Sequence, residues 1–165
     1  MYVNQQVAPM SNMLDKRALL PLFNALADRM SSQATSTAGL VIKAGGGVLA
    51  KIGAADFQGT AQGVPVKIAA STDMPALTGT ITANKFGIYC FFIDSASVVT
   101  VAQGVEGATL ATAKFPPFPE GKALVGYLVI THSATFTGNS TALDTATTVY
   151  VSPVGAFDPT ITLTP

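Results

Sequence analysis

The stretch FGIYCFFI, residues 86–93, decides the fold of this chain. It is apolar at nearly every position, and residues 123–130 (ALVGYLVI) have the same character. Apolar runs this short have the length of strands rather than helices, and such strands are covered on both faces. The two runs therefore predict central strands that lie between other parts of the fold or against a neighbouring subunit.

Shorter strand-like segments surround the two central runs and are separated by turn signals such as Gln103-Gly104 and Gly138-Asn139. They are residues 40–43, 48–52, 64–70, 77–83, 97–102, 109–113 and 147–151. The first two flank a glycine triplet at residues 45–47 and predict a hairpin. Strands of about five to eight residues at this spacing are typical of all-β folds. We predict a β-sandwich body over residues 39–165, jelly-roll-like or immunoglobulin-like in topology.

Residues 1–38 follow a different pattern and predict an N-terminal arm with one amphipathic helix. Ser11 or Asn12 is the expected N-cap, and Pro21 predicts either a kink or a new helix start at that position. Residues 31–38 (SSQATSTA) have the composition of a flexible connection. The apolar positions of the helix fall on one face at helical spacing: Leu19, Leu22, Phe23, Leu26, Ala27 and Met30.

This apolar face has two possible locations. It packs either on the β body of its own chain or on another subunit, and the sequence leaves both open. A helix of about three turns is marginal in water by itself, so the face has to be buried somewhere. The candidate partner-binding residues are Leu19, Leu22, Phe23, Leu26 and Met30.

The composition favours an assembly subunit. Charged residues make up 11% of the 165 residues, against roughly 25% in an average soluble domain. Nine Lys and Arg balance nine Asp and Glu, and the absence of net charge removes the repulsion that keeps proteins apart. We therefore expect a homo-oligomer.

The sequence does not favour binding to nucleic acid or to a membrane. It has no stripe of basic residues that would bind nucleic acid, and no apolar run approaches the length that crosses a bilayer. Residues 1–10 lack the pattern of a signal peptide, so synthesis in the cytoplasm is expected.

The residues that carry catalysis in other proteins form no familiar constellation here. His132, the only histidine, would need a serine and an orienting carboxylate such as Asp94 or Asp144 to form a hydrolase triad, and no G-x-S-x-G motif is present. Glu106 and Glu120 are a conceivable glycosidase pair, but the chain has no Trp to line a sugar site. We do not predict an enzyme, and a hydrolase built around His132 remains the third hypothesis.

The remaining candidates favour structural roles. Cys90 is the only cysteine, which excludes an intrachain disulfide and a cysteine-based metal cage, and its apolar neighbours predict a buried side chain. No metal, cofactor or small-molecule substrate is indicated. The Pro-rich residues 115–119 form either a docking loop with exposed Phe115 and Phe118 or a rigid corner whose phenylalanines cap the core. We favour the corner.

Several stretches resemble a family of small virion structural proteins of tailed bacteriophages. They are GLVIK (39–43), DMPAL (73–77), GATLA (107–111), FPPFPEG (115–121) with VGY (125–127), and VGAFDP (154–159). The similarity covers most of residues 39–159 and lies in turn and core patterns. Such proteins are similar to head decoration proteins, also called cement proteins.

The resemblance implies a β-sandwich body that sits as a homotrimer on the capsid surface of the virion, at local three-fold positions, bound to the major capsid protein. It implies stabilisation of the assembled head as the function. An arm that reaches over neighbouring capsid subunits would suit residues 1–38. The alternative function is a fibre or receptor-binding module of the phage tail or head.

Overall fold

The computed structural model describes the backbone of residues 16–164 and the side chains from Leu20 onward. The expected N-cap at Ser11 or Asn12 lies outside the described residues. One α-helix, α1 (Lys16–Ser31), precedes a set of short strands. The strands are β1 (Gln33–Ala34), β2 (Val41–Ile42), β3 (Ala50–Lys51), β4 (Phe57–Ala61), β5 (Val64–Ile68), β6 (Thr80–Ile81), β7 (Phe86–Ile93), β8 (Val99–Gln103), β9 (Ala123–Thr131), β10 (Phe136–Thr137) and β11 (Thr147–Val151).

A four-stranded antiparallel sheet in the order β11-β9-β7-β8 forms the centre of the body. Strands β7 and β9 pair along their length, with Ile88 opposite Val129 and Tyr89 opposite Leu128. The register shifts between Phe91 and Phe92, where β9 carries one extra residue. Such a bulge moves the following side chains to the other face. The two predicted central strands are therefore confirmed.

Alternate side chains of the central sheet enter two separate cores. In β7, Tyr89, Phe91 and Ile93 belong to the first core, whereas Ile88, Cys90 and Phe92 belong to the second. All six are fully buried. Successive side chains of a strand point to opposite faces, so a strand that is apolar at every position needs a cover on each side.

The first core is covered by the smaller antiparallel sheets, β1-β4-β5, β2-β3 and β10-β6. Phe57 of β4, Ile81 of β6 and Phe136 of β10 are buried in it, and the ring of Phe136 lies 6.3 Å from that of Tyr89. The body is thus mostly strands in antiparallel sheets, as predicted for an all-β fold.

The second core is covered by segments without regular strands. Phe115 and Phe118 of the Pro-rich turn pack against it together with Phe157 near the C-terminus. The Phe115 ring meets the Tyr127 ring edge to face at 5.0 Å, and the Phe118 ring meets the Phe92 ring at 4.9 Å. Edge-to-face contacts of this kind stabilise aromatic clusters beyond the area they bury. The interpretation of residues 115–119 as a corner that caps the core is confirmed.

The connection expected to be flexible at residues 31–38 packs instead into the body. Gln33 and Ala34 pair with Thr60 and Gly59 of β4, and Ala34 is 2% exposed. A small, polar composition suits a linker, but Ala34 and Ala38 of this segment are buried in the first core. The ordered packing of the body therefore begins at β1.

Several strand predictions are confirmed and others are wrong in detail. The hairpin around the glycine triplet forms as β2 and β3. Residues 64–70 and 147–151 contain β5 and β11, and residues 97–102 cover β8 except for its last residue. Residues 77–83 contain only the short β6, and residues 109–113 contain a 3-10 turn at Leu110–Thr112 instead of a strand. Strands β1, β4 and β10 were missed.

Helix α1 runs continuously through Pro21. The expectation of a new helix start at this proline is therefore wrong. The ring removes one donor from the helical ladder, opposite the carbonyl of Arg17. The helix continues past it because the residues on both sides, Ala18 to Leu20 and Leu22 to Ala27, are mostly good helix formers.

Gly126 in β9 is a site where the backbones and side chains leave no room for a larger residue. A Cβ atom there would lie 2.6 Å from Leu40 Cδ1 and 2.7 Å from the Val151 carbonyl oxygen of the paired strand. We predict that Gly126→Ala lowers the free energy of unfolding by about 1–3 kcal/mol, measured by urea denaturation. Gly45→Ala is the control because its Cβ would meet only the Asp144 carboxylate, at 4.0 Å. Equal midpoints for the two variants would contradict this packing.

Candidate interaction surface

The apolar face of α1 stands in solvent in the single chain. The side chains of Leu22, Phe23, Leu26 and Met30 are 64%, 60%, 55% and 66% exposed, and together we call them the apolar stripe. Residue Leu19 continues the same face by its position in the helix, and its side chain lies outside the described part. Of the sequence-predicted partner-binding residues, the four described ones thus form one contiguous surface.

The opposite face of α1 is turned towards the body. Pro21, Asn24 and Asp28 of this face line a cleft of about 410 Å³, which Phe118 and Glu120 close from the side of the body. At 3.6 residues per turn these helix positions lie about half a turn from the apolar stripe. The stripe therefore does not pack on the β body of its own chain, which was one of the two locations left open by the sequence.

Hydrogen bonds hold the C-terminal end of α1 on the body. The Asp28 carboxylate accepts a bond from the Gly121 N–H at 3.0 Å and another from the Ser32 hydroxyl at 3.5 Å. The Ser31 carbonyl accepts from the Gly63 N–H at 2.8 Å, and the Ser32 hydroxyl oxygen accepts from the Gln62 N–H at 3.0 Å. The Ser32–Asp28 bond joins two residues of the same segment, and we call the other three bonds, which reach the body, the latch. They fix the rotation of the helix about its axis, and so the direction of the stripe.

A cation–π contact adds to the latch. The Arg29 guanidinium carbon lies 4.5 Å from the centre of the Phe118 ring, within the range at which such pairs attract. Because Phe118 also packs on Phe92 of the central sheet, the contact connects the helix to the second core. The charged residues at the end of α1 are therefore engaged with the body and not with the stripe.

The latch gives a prediction about the mobility of the helix. Asp28→Ala removes a charged acceptor from a partly buried N–H, which costs about 1.5–3 kcal/mol. We expect trypsin to cleave after Arg29 roughly 10- to 100-fold faster, because cleavage follows local opening, while the melting of the β body changes little. Asp28→Asn keeps an acceptor oxygen and is the control, with a smaller increase. Equal cleavage rates for Asp28→Ala and the unmodified chain would contradict the latch.

The residues considered for a hydrolase triad do not come together. His132 Nδ1 lies 3.0 Å from the Ala134 carbonyl oxygen and accepts from the Ala134 N–H at 3.2 Å, so its contacts are with its own turn. Asp94 accepts from the backbone of Val98 at 2.9 Å, and Asp144 accepts from the Gly46 N–H at 2.6 Å. Both carboxylates thus stabilise loops through backbone hydrogen bonds, and neither is hydrogen-bonded to the His132 imidazole.

Cys90 is fully buried in the second core, as predicted. Its burial raises the pKa of the thiol, because the thiolate would lose its hydration there. The group is therefore held in its neutral, unreactive form.

Glu106 and Glu120 have different surroundings. Glu106 accepts from the Thr82 N–H at 2.7 Å and from the Lys85 ammonium at 2.7 Å. The Lys85 bond is the main cause that lowers the pKa of Glu106 to about 2, and the bonds from Thr82 add to it. Glu120 lies in the cleft beside α1. Glu106 thus ties the loop after β8 to the turn before β7.

This carboxylate gives a prediction about pH. Glu106→Gln removes the ionised carboxylate that Lys85 and Thr82 stabilise in the folded state. The variant is therefore less stable than the unmodified chain at neutral pH. The stabilisation is complete above the ordinary pKa of 4.5 and is lost as the pH falls towards about 2, because protonation of Glu106 then removes the same charge. Urea midpoints over this range should converge for the two proteins.

Glu120→Gln serves as the control for the pH experiment. Its midpoint should stay close to that of the unmodified chain, since Glu120 has no ion pair among the described residues. The urea midpoints of Glu106→Gln and the unmodified chain could also differ by a constant amount down to about pH 2. That result would show that the charge of Glu106 is not the cause of the difference in stability.

Two further classes of site were considered for the described residues. No group of three or more His, Cys, Asp or Glu side chains in residues 16–164 is placed to hold a metal ion. In the same part of the chain, no helix combines the length and the apolar character needed to span a membrane.

In the comparisons with known proteins, no family model, no curated protein and no solved structure matches the chain.

Sequence reasoning found the stripe but missed the latch. Helical spacing places Asp28 about half a turn from the apolar positions, as the helix has it. Its partner, the backbone N–H of Gly121, lies 93 residues away in sequence. Every residue except proline has a backbone N–H, so the residue type at position 121 does not indicate that this group binds Asp28.

Proposed function

We propose that this chain is a structural subunit of a tailed-bacteriophage virion, a decoration or cement protein that binds the assembled head and stabilises it. The observation that carries the proposal is the apolar stripe of α1, which is exposed in the single chain and held away from its own body. Contiguous exposed apolar surface marks sites of protein interaction. The resemblance of residues 39–159 to phage head proteins suggests the particle and its major capsid protein as the place and the partner.

The proposal includes a β-sandwich arrangement of the body, jelly-roll-like or immunoglobulin-like. In support of it, β1 and β4 contact β9 across the first core, as the two sheets of a sandwich do. A body with two packed cores keeps its shape under load. That property suits a part that spans the seams between capsid subunits.

The proposed mechanism is mechanical and depends on repetition. The stripe exposes roughly 100 Å² per side chain, about 400 Å² in all, and its burial is worth on the order of 10 kcal/mol before costs. Association costs about 4–15 kcal/mol, so one stripe alone binds weakly. A homotrimer that presents one weak head contact three times binds firmly, because the second and third contacts form within the same complex. Bound trimers would then oppose expansion of the shell by the packaged genome.

The test is the position and number of copies on the particle. We expect the purified full chain to bind phage heads that lack it, in many copies spread over the head, as seen in averaged images. The temperature at which the heads release DNA should rise. The variant Leu22→Ser/Leu26→Ser should bind at least 10-fold more weakly, since it removes two of the four stripe side chains. The control is Val105→Ser, which replaces an exposed valine of the body (66% exposed).

Two results would contradict the proposal. Failure of the unmodified chain to bind heads at any concentration would remove the capsid as partner. A few copies located only at the tail tip would favour the alternative function, a fibre or receptor-binding module.

A further inference from the structure

The central sheet ends on one side at β8, and among the described strands only β7 pairs with it. Across this pair, the Gly104 N–H donates to the Ile88 carbonyl at 2.7 Å. Bonded pairs alternate along an antiparallel ladder, so Ala102 and Thr100 also direct their backbone groups towards β7. The residues of β8 whose N–H and C=O groups point to the outer edge are therefore Val99, Val101 and Gln103.

These outward groups have no hydrogen-bond partner in the part of the chain that the structure describes. Two other contacts of β8 use its side chains. The Gln103 amide donates to the Thr80 carbonyl at 2.6 Å, and the Thr100 hydroxyl accepts from the Lys122 ammonium at 3.2 Å. Three backbone N–H groups and three C=O groups are thus left for a further strand.

The sequence of β8 does not protect this edge. Edge strands commonly carry Lys, Pro or a bulge, each of which hinders pairing with another chain. Strand β5, at the edge of the three-stranded sheet, has both Pro65 and Lys67. Strand β8 (VTVAQ) has neither, and its five residues pair one to one with β7 without a bulge. The contrast between the two edges indicates that β8 is suited to pairing.

The groups on the edge define the chemistry of the partner. A row of backbone donors and acceptors is matched by another extended polypeptide, as in strand addition to a sheet. Val99 and Val101 pack against the first core, so partner residues beside them should be aliphatic. Thr100 and Ala102 lie on the other face, so partner residues beside these two should be small or polar. No charge in β8 selects a charged partner.

The size of the edge favours an extended segment over a second folded copy. Five residues form an edge of roughly 17 Å, and packed sheets are about 10 Å apart. A second body would therefore bury roughly 350 Å² through this edge, far below the roughly 1,200 Å² at which stable interfaces begin. An extended segment can continue beyond the strand onto Val98, which is 53% exposed, and such segments wrap a surface as they order on it.

We propose that the outer edge of β8 is a docking site for an extended, uncharged segment of another protein, which adds to the central sheet as a fifth, antiparallel strand. Aliphatic and small polar residues alternate along this segment. The inference goes beyond the proposed function and does not rest on it, because the edge belongs to the β body and the apolar stripe belongs to α1.

The first experiment measures amide hydrogen exchange of the full chain by NMR. In the free chain, the outward amides of Val99, Val101 and Gln103 should exchange roughly 10- to 100-fold faster than those of Thr100 and Ala102, because only the latter two bond to β7. The probe, the blocked peptide acetyl-TVTVTVT-amide at about 1 mM, should slow exchange of the outward amides roughly threefold or more, since the slowing follows the bound fraction.

Two controls separate backbone pairing from non-specific contact. The same peptide with methylated valine nitrogens keeps its side chains but lacks the donors that face β8, so it should leave the exchange rates unchanged. In the protein, Val101→Pro removes one outward N–H and keeps the bonds to β7, and it should abolish the slowing at the remaining outward amides. Thr148→Pro, which places the same ring on β11 at the opposite edge of the sheet, should retain it. Urea midpoints show whether each variant is folded, and the methylated peptide decides if Val101→Pro is not.

Each outcome decides the inference. Equal exchange rates along β8, or equal slowing by the two peptides, would overturn it. Slow exchange of the outward amides in the free chain at every dilution would show that the chain covers its own edge. Slow exchange that appears only at high protein concentration would show that a second copy covers it, and either result would also overturn the inference. Head binding by the unmodified chain, the test of the proposed function, is independent of all these results.

Discussion

Strands β7 and β9 bury side chains on both of their faces, and this requirement organises the rest of the chain. Each face needs its own cover. The sequence before residue 86, together with β10, supplies the small sheets for one side. The Pro-rich turn and the C-terminal segment supply aromatic rings for the other. Most of the apolar side chains are used in these two cores. The exposed large apolar residues of the body, such as Val64, Val105 and Val154, are scattered, whereas those of α1 are contiguous.

The sequence predicts the central strands because burial on both faces leaves a continuous apolar run, which is a strong local signal. It does not predict β1 and β10, and it does not predict the true length of β6. Each of these strands has two residues, which are too few to show a periodic pattern. Strand β4 (FQGTA) was missed for a related reason. Its Gly59 reads as a turn signal, but a Cβ there would lie 2.9 Å from the Gln33 carbonyl oxygen. The glycine allows β1 to approach.

Residues 109–113, a predicted strand, show how side chains can override a strand-like segment. The Thr109 N–H donates to the Thr112 hydroxyl at 3.0 Å, and the Thr112 hydroxyl also bonds the Thr109 carbonyl at 3.0 Å. Threonine hydroxyls compete in this way with the ladder of a sheet, and the segment closes into a 3-10 turn.

For the candidate interaction surface, the helical periodicity of the sequence was enough to find the stripe. Its direction depends on bonds between residues far apart in sequence, which a single sequence does not encode locally.

Two different interactions concern the two faces of α1, and their magnitudes favour the proposed role of the helix in an assembly. The latch consists of a few hydrogen bonds, each worth about 0.5–1.5 kcal/mol net, or somewhat more at the Asp28 carboxylate. Burial of the stripe is worth on the order of 10 kcal/mol before costs, comparable to the whole stability of a typical domain. The latch is therefore small beside the energy of burying the stripe, and it acts on the end of the helix that it contacts. It is too weak to offset the exposure of the stripe. The larger energy would be gained when another polypeptide covers that face, which is the arrangement that we propose.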